Sequence, residues 1–286
     1  MELFLECLPC VLRQALEAAK LSTDDEALQK QMIAEVLGIL GRYEAFNSAP
    51  EIVREFHRVL KARTGAADPY AAIKQRDLET AIRLLPELKR QLSQKDDRLY
   101  WALKAAATGN VLDSAIGLTI DMSRFDAEFE KPFAVCDIGV FQQRLENAKS
   151  LMVIGDNTGE TVFDGLLLEQ FPGLRLTYAV RSAPVINDAT AEEAVASGLD
   201  RYAEIISTGC DIPGVLLEEC GGEFLKRFRE ADIVISKGQG NYETLSECPR
   251  DIFFLLKAKC PIMAKVQGVS LNDFVFRYSA GTNPRK

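Results

Sequence analysis

Leu151-Met152-Val153-Ile154-Gly155-Asp156-Asn157-Thr158-Gly159-Glu160 decides the fold. A short apolar run bounded by a polar, glycine-bearing turn reads as a buried strand that ends in a loop. The pattern recurs downstream. Leu174 to Val180 is followed by Arg181-Ser182-Ala183-Pro184-Val185-Ile186-Asn187-Asp188-Ala189-Thr190. Glu204-Ile205-Ile206 is followed by Ser207-Thr208-Gly209-Cys210, and Ile233-Val234-Ile235 by Ser236-Lys237-Gly238-Gln239-Gly240-Asn241-Tyr242-Glu243. A fifth run, Pro261 to Val266, is also predicted as a strand. Amphipathic segments near 160–170, 190–198, 213–230 and 242–258 are predicted as the intervening helices. This β-α alternation argues for an α/β fold with a mostly parallel sheet and helices on both faces.

Upstream, the periodicity changes near residue 130. Apolar residues repeat at helical spacing over 9–20, 26–40, 50–63, 71–93 and 99–107, with Pro86 a predicted kink or break and Gly109-Asn110 a stop. The polar stretch 121–133 is expected to link the halves or lie across them. At roughly 150 residues per domain, the 286-residue chain accommodates a helical domain over 1–130 and an α/β domain over 131–286.

Composition narrows the chemistry. Hydrophobic residues make up 47% and charged residues 27%, which excludes wholesale disorder. With 34 basic against 42 acidic residues the net charge is −8, against nucleic acid or anionic lipid as a partner. The single histidine, His57, excludes any mechanism or zinc site that needs two, and its helical pattern predicts a surface or capped position. Seven widely spread cysteines do not resemble a secreted disulfide framework. The acidic start Met1-Glu2-Leu3-Phe4-Leu5-Glu6 lacks a signal peptide's basic region, and no apolar stretch is long enough for a membrane span. The cytoplasm is the expected compartment.

In open α/β sheets ligands bind at the carboxyl ends of the strands, and here four successive strand ends carry polar, charged and glycine residues. Asp156, Asn157 and Asp188 offer hard oxygen ligands suited to magnesium, manganese or a similar divalent ion. Lys237 and the Gly238-Gln239-Gly240-Asn241 turn offer a point charge and backbone amides for an anion. Together these parts suit phosphoryl transfer. Each turn alone is ordinary capping chemistry; four on one rim argue for a site. The turn is neither a P-loop nor a dinucleotide fingerprint. Several residues keep two readings. Arg181 binds substrate or pairs with a surface acid. Glu160 supports the ligands or merely suits a helix's first turn. Asn110 and Asp113 reach the site from the domain junction or cap a helix end. Cys7 and Cys10 are structural, metal-binding or redox-active.

Asp156 to Glu160, Asn187 to Thr190 and Ser236 to Glu243 together resemble the metal-dependent damage-control phosphatase family, long known only as a domain of unknown function. Ala107-Thr108-Gly109-Asn110-Val111-Leu112-Asp113 and Cys7-Leu8-Pro9-Cys10 are similar to two signatures of its archaeal and bacterial branch. The resemblance implies a helical N-terminal domain packed on a Rossmann-like α/β/α domain. It also implies a divalent metal, whether manganese, nickel, cobalt or magnesium, held by Asp156, Asn157 and Asp188, with Asn187 in support. Phosphate would be contacted by Lys237 beside Gly238, Gly240 and Asn241, and Asp156 and Lys237 would carry the catalysis. The implied substrates are small phosphorylated metabolites, either sugar phosphates or damaged cofactor-precursor phosphates. Direct water attack and a phospho-enzyme on Asp156 both stay open, as does the oligomeric state. Two other readings are a metal- or metabolite-binding regulator without turnover and an S-adenosylmethionine-dependent methyltransferase. The second needs a glycine-rich first turn and an acid ending the second strand, whereas this chain has Asp156-Asn157 and Arg181.

Overall fold

A computed structural model describes residues 1–109 and 122–281. Seven strands form one sheet in the order β1-β7-β6-β5-β2-β3-β4, with β1 Phe133–Cys136, β2 Ser150–Ile154, β3 Arg175–Val180, β4 Glu204–Ser207, β5 Ile233–Lys237, β6 Ile252–Lys257 and β7 Phe274–Ser279. Every neighbouring pair is parallel except β6 and β7. The mostly parallel α/β sheet expected from the alternation is therefore present. Its central strands are buried on both faces, which explains their uninterrupted apolar runs.

Alternation along β2 divides the core. Leu151 and Val153 face one apolar cluster with Phe163 and Leu167 of α8 (Glu160–Leu168), and with Leu84, Leu88 and Leu103 from earlier helices. Met152 and Ile154 face the other, with Phe224 and Phe228 of α10 (Gly222–Glu230), Leu245 of α11 (Gln239–Leu245) and Met263 of α12 (Pro261–Gln267). Each fully buried Leu or Phe contributes roughly 1.5–3 kcal/mol.

The earlier helices behave as two groups. Val11, Ala15, Met32, Val36, Ile52, Phe56 and Leu60, on α1 (Cys7–Ser22), α2 (Glu26–Leu40) and α3 (Ala49–Thr64), make a cluster of their own. The apolar faces of α4 (Ala71–Ser93), α5 (Arg98–Thr108) and α6 (Met122–Glu130) instead join the sheet's cluster. Arg58 on α3 pairs with Asp211 at 3.1 Å, and Arg54 pairs with Glu219, so α3 is tied to the segment after β4.

Three local expectations are corrected. Pro261 to Val266 is helical: Pro261 occupies the first turn, where its missing N–H costs nothing, and Cys260 Sγ accepts from Met263 N. The strand lies earlier, at β6, where Phe253 and Phe254 point to opposite clusters and an apolar run without polar interruption had read as helix. Pro86 does not break α4, which is continuous over 23 residues.

Candidate active site

From β2 the chain steps outward through β3 to β4, then returns to β5 on the other flank of β2. The crevice beyond the carboxyl ends of β2 and β5 is thus the topological switch point, where open sheets bind ligands.

The turns after β2 and β3 are laced together there. Ala189 N donates to Asp156 O at 2.9 Å, Thr158 N donates to Asn187 O at 2.9 Å, and Asn157 and Asp188 pair as an isolated antiparallel bridge. The three oxygen-bearing residues expected to act together are brought together. Arg181, at the end of β3, donates from Nε to Asp188 Oδ2 at 2.7 Å, and its Nη2 lies 3.8 Å from Asp156 Oδ1. The guanidinium is buried, and neither Nη1 nor Nη2 has a hydrogen-bond partner among the described residues. Its partner is therefore a buried site acid and not a surface one.

Glu160, also buried, lies behind Asn157. Asn157 Nδ2 donates to Glu160 Oε1 at 3.0 Å, and Lys237 Nζ donates to Glu160 Oε2 at 2.5 Å. Lys237 Nζ also lies 2.6 Å from Asp164 Oδ1, whose other oxygen accepts from Tyr178 Oη at 2.6 Å. The Lys237 ammonium is thus fully buried between two carboxylates and reaches Asn157 through Glu160. Asn241 Nδ2 donates to Gly155 O at 2.9 Å and to Lys237 O at 2.6 Å, tying the end of β2 to the end of β5.

Glycines make the close approaches possible. Gly238 has φ 80° and ψ 166°, and a Cβ there would fall 2.0 Å from Asp156 Oδ2. At Gly240 a Cβ would fall 2.1 Å from Pro213 O, so the segment after β4 packs directly on this turn.

Electrostatics follow from crowding. Burial, then Asp188 and Glu160, push the Asp156 carboxyl well above its usual range, while Arg181 and Lys259 pull the other way. Burial pushes Asp164 up to about 6 against the pull of Lys237. Burial disfavours the charge on Lys237, but Asp164 and Glu160 outweigh it and raise its pKa. Asp188 and Asp156 likewise outweigh burial at Arg181.

Other expected residues stand apart. Asn110 and Asp113 lie outside the described residues; Gly109, just before them, abuts α8, where a Cβ would come within 3.0 Å of Glu160 Cα. Cys7 and Cys10 open α1 as free thiols, and burial raises the Cys7 pKa. His57 is buried, not at a surface or capped position, and is stacked on Phe56 at 4.7 Å between ring centroids. Asp164 and Tyr178 join the site although no motif marks them in the sequence. The available signal was Glu160 and Asp164 at i,i+4 on a helix whose other residues are apolar apart from Thr161, where buried acids need a cationic partner.

A family model described as the damage-control phosphatase ARMT1-like domain matches residues 3–275. The chain belongs to this family. It is 33% identical over 271 residues to the damage-control phosphatase PH1575 of Pyrococcus horikoshii, covering 91% of this chain and 92% of that protein. A damage-control phosphatase of Archaeoglobus fulgidus is 33% identical over 283 residues, covering 94% of this chain and 96% of the relative. The crystal structure of PH1575, described as a DUF89 family protein, superposes with a TM-score of 0.88 at 29% identity, covering 98% of this chain and 99% of that one. The resemblance read from the three strand-end motifs is thereby borne out at the level of family and fold. Among the described residues of this family member, no three His, Cys, Asp or Glu side chains converge to hold a metal, and no helix is long and apolar enough to cross a membrane.

Proposed function

We propose that the chain is a cytoplasmic, divalent-metal-dependent phosphatase acting on phosphomonoesters of small metabolites, sugar phosphates or damaged cofactor-precursor phosphates. One observation carries the reading. Among the described residues, Asp156, Glu160, Asp164 and Asp188 are buried beside two buried cations, Arg181 and Lys237, with the partly buried Lys259 acting on Asp156 from nearby, so that acids outnumber bases when all are ionised. Buried charge in excess calls for a compensating ligand. The donors nearest the mouth are two carboxylates and an amide, Asp156, Asp188 and Asn157. This hard, oxygen-only set suits magnesium or manganese and tolerates cobalt or nickel.

A metal bound there would polarise a phosphoryl oxygen and lower the pKa of a bound water. The chain's own groups do the rest. Arg181, held by Asp188, keeps Nη1 and Nη2 available to non-bridging phosphate oxygens in the planar geometry guanidinium favours. Glu160 orients Asn157, and Lys237 holds Glu160 in place and offsets its charge. Lys237 therefore supports the site through Glu160, a change from the direct phosphate contact that the sequence suggested.

The test is phosphate release from a panel of sugar phosphates and cofactor-precursor phosphates, using metal-stripped protein resupplied with magnesium, manganese, cobalt or nickel. Turnover restored by metal in the wild type and lost in Asp156→Ala and Asp188→Ala is expected. Metal binding without turnover on any substrate would instead favour a non-catalytic binder.

A further inference from the structure

Cys210 and Cys220 follow β4 at the two ends of one loop, with their sulfurs 3.7 Å apart and in hydrogen-bond contact. The backbone around them is already closed. Gly221 N donates to Thr208 O at 2.9 Å, and Gly209, at φ 85°, lies so close that a Cβ on it would fall 2.4 Å from Gly221 N. A disulfide needs the sulfurs about 2.05 Å apart, so the two sulfurs, already in contact, must close further for a bond to form. The loop touches both turns of the candidate site: Ser182 N, next to Arg181, donates to Cys210 O at 3.1 Å, and Pro213 packs on Gly240. Arg58 and Arg54 of α3 hold Asp211 and Glu219, the residues just inside the two cysteines.

We propose that Cys210 and Cys220 form a reversible dithiol–disulfide site, oxidised by hydroperoxides, at the edge of the phosphatase crevice. The pair divides the labour. The contact with Cys220, helped by Thr208 and the charge of Arg181, lowers the Cys210 thiol pKa despite burial. Cys220, half-buried, is pushed up and keeps its proton. The Cys210 thiolate takes one oxygen from the peroxide, giving a sulfenic acid and hydroxide. The Cys220 sulfur then attacks the Cys210 sulfur, and the hydroxyl leaves as water with the Cys220 proton. Two thiols lose two electrons, and one hydrogen peroxide becomes two waters. The chemistry does not depend on the phosphatase reading and is measured separately from it.

The test treats the folded wild-type protein with hydrogen peroxide at pH 7, alkylates the remaining thiols, and digests with a protease cutting after glutamate. Cleavage at Glu218 and Glu219 places the two cysteines on separate peptides, which only a disulfide joins. The joined peptides are expected, forming roughly tenfold or more faster than oxidation of the half-buried, pKa-raised Cys248 and lost on treatment with dithiothreitol. In Cys220→Ser the Cys210 sulfenic acid has no resolving thiol and should be trapped by dimedone, whereas Cys210→Ser should leave Cys220 reduced. Wild-type protein in which both cysteines are still alkylated after Cys248 has been oxidised would overturn the proposal, as would dimedone labelling of Cys220 in preference to Cys210.

Discussion

The carboxylate of Asp156 rests directly on the backbone of Gly238, joining the turn after β2 to the turn after β5. A Cβ at Gly238 would lie 2.0 Å from Asp156 Oδ2, and the φ of 80° with ψ of 166° belongs to a region that only glycine occupies comfortably. Gly238→Ala therefore strains the backbone by roughly 1–3 kcal/mol and displaces a proposed metal ligand. Metal-dependent phosphate release is expected to fall on the order of a hundredfold, the usual cost of misplacing a reacting group by about 1 Å. Gly139→Ala is the matched control, because nothing lies within 4 Å of a Cβ there and the residue is helical. Its turnover and its urea midpoint should not drop. Equal losses in both variants would show that the Gly238 contact has no special role.

Arg181 separates charge from geometry. Arg181→Lys keeps a cation near Asp188 but removes the planar fork whose Nη atoms have no hydrogen-bond partner among the described residues. Inorganic phosphate binding, followed by calorimetry with metal present, is expected to weaken roughly tenfold or more, about 1.4 kcal/mol per factor of ten. Metal binding alone should change far less, since the lysine leaves the acid pair compensated. Unchanged phosphate affinity would remove Arg181 from the anion site.

Lys237 should act on stability before it acts on chemistry. It is buried against Glu160 at 2.5 Å and Asp164 at 2.6 Å, so Lys237→Met strands two buried carboxylates. Breaking a buried pair from one side typically costs about 3–5 kcal/mol. Adding Asp164→Asn removes one stranded charge and should return part of that loss, read from urea unfolding at pH 7.5. Additive losses in the double variant would show that the two groups are not coupled.

The legible parts of this chain were those where local sequence and tertiary context agree. β2, β3, β4 and β5 end in polar turns, so the apolar runs and the site residues behind them marked each other. β6 is followed by the short Ala258-Lys259-Cys260 connection rather than a long polar turn, and its unbroken Ile252 to Leu256 run is equally compatible with a buried helix or strand. Only its pairing with β5 and β7 decides between them. The grouping of Asp156, Asn157 and Asp188 was readable because each follows a strand. The Lys237–Glu160–Asp164 arrangement was not, because it depends on α8 bringing two acids against the end of β5. The Cys210–Cys220 approach was hidden for a similar reason: nine residues lie between the pair, and a backbone contact between Gly209 and Gly221 brings them together. His57 looked like a surface residue on its helix, since periodicity does not reveal that Tyr70 closes over it at 5.7 Å between ring centroids.

That burial gives His57 a measurable pH signature. Neither ring nitrogen has a hydrogen-bond partner among the described residues, and burial, with Lys61 nearby, lowers its pKa to about 3. In the unfolded chain the value returns to roughly 6.5. The unfolded state therefore binds a proton that the folded state refuses, and stability falls as pH drops below about 6.5. At pH 5 the loss amounts to roughly 2 kcal/mol relative to pH 8. His57→Leu keeps an apolar side chain between Phe56 and Tyr70 and removes the titration. Asp164 titrates in the opposite sense, since a carboxyl raised in the folded state favours folding as pH falls through about 6. That contribution is common to both proteins and cancels in their difference. Urea unfolding at pH 8 and pH 5 should thus show the wild type losing about 2 kcal/mol more than His57→Leu. Parallel losses in the two proteins would mean that His57 accepts a proton in the folded state and is not sealed as its contacts indicate.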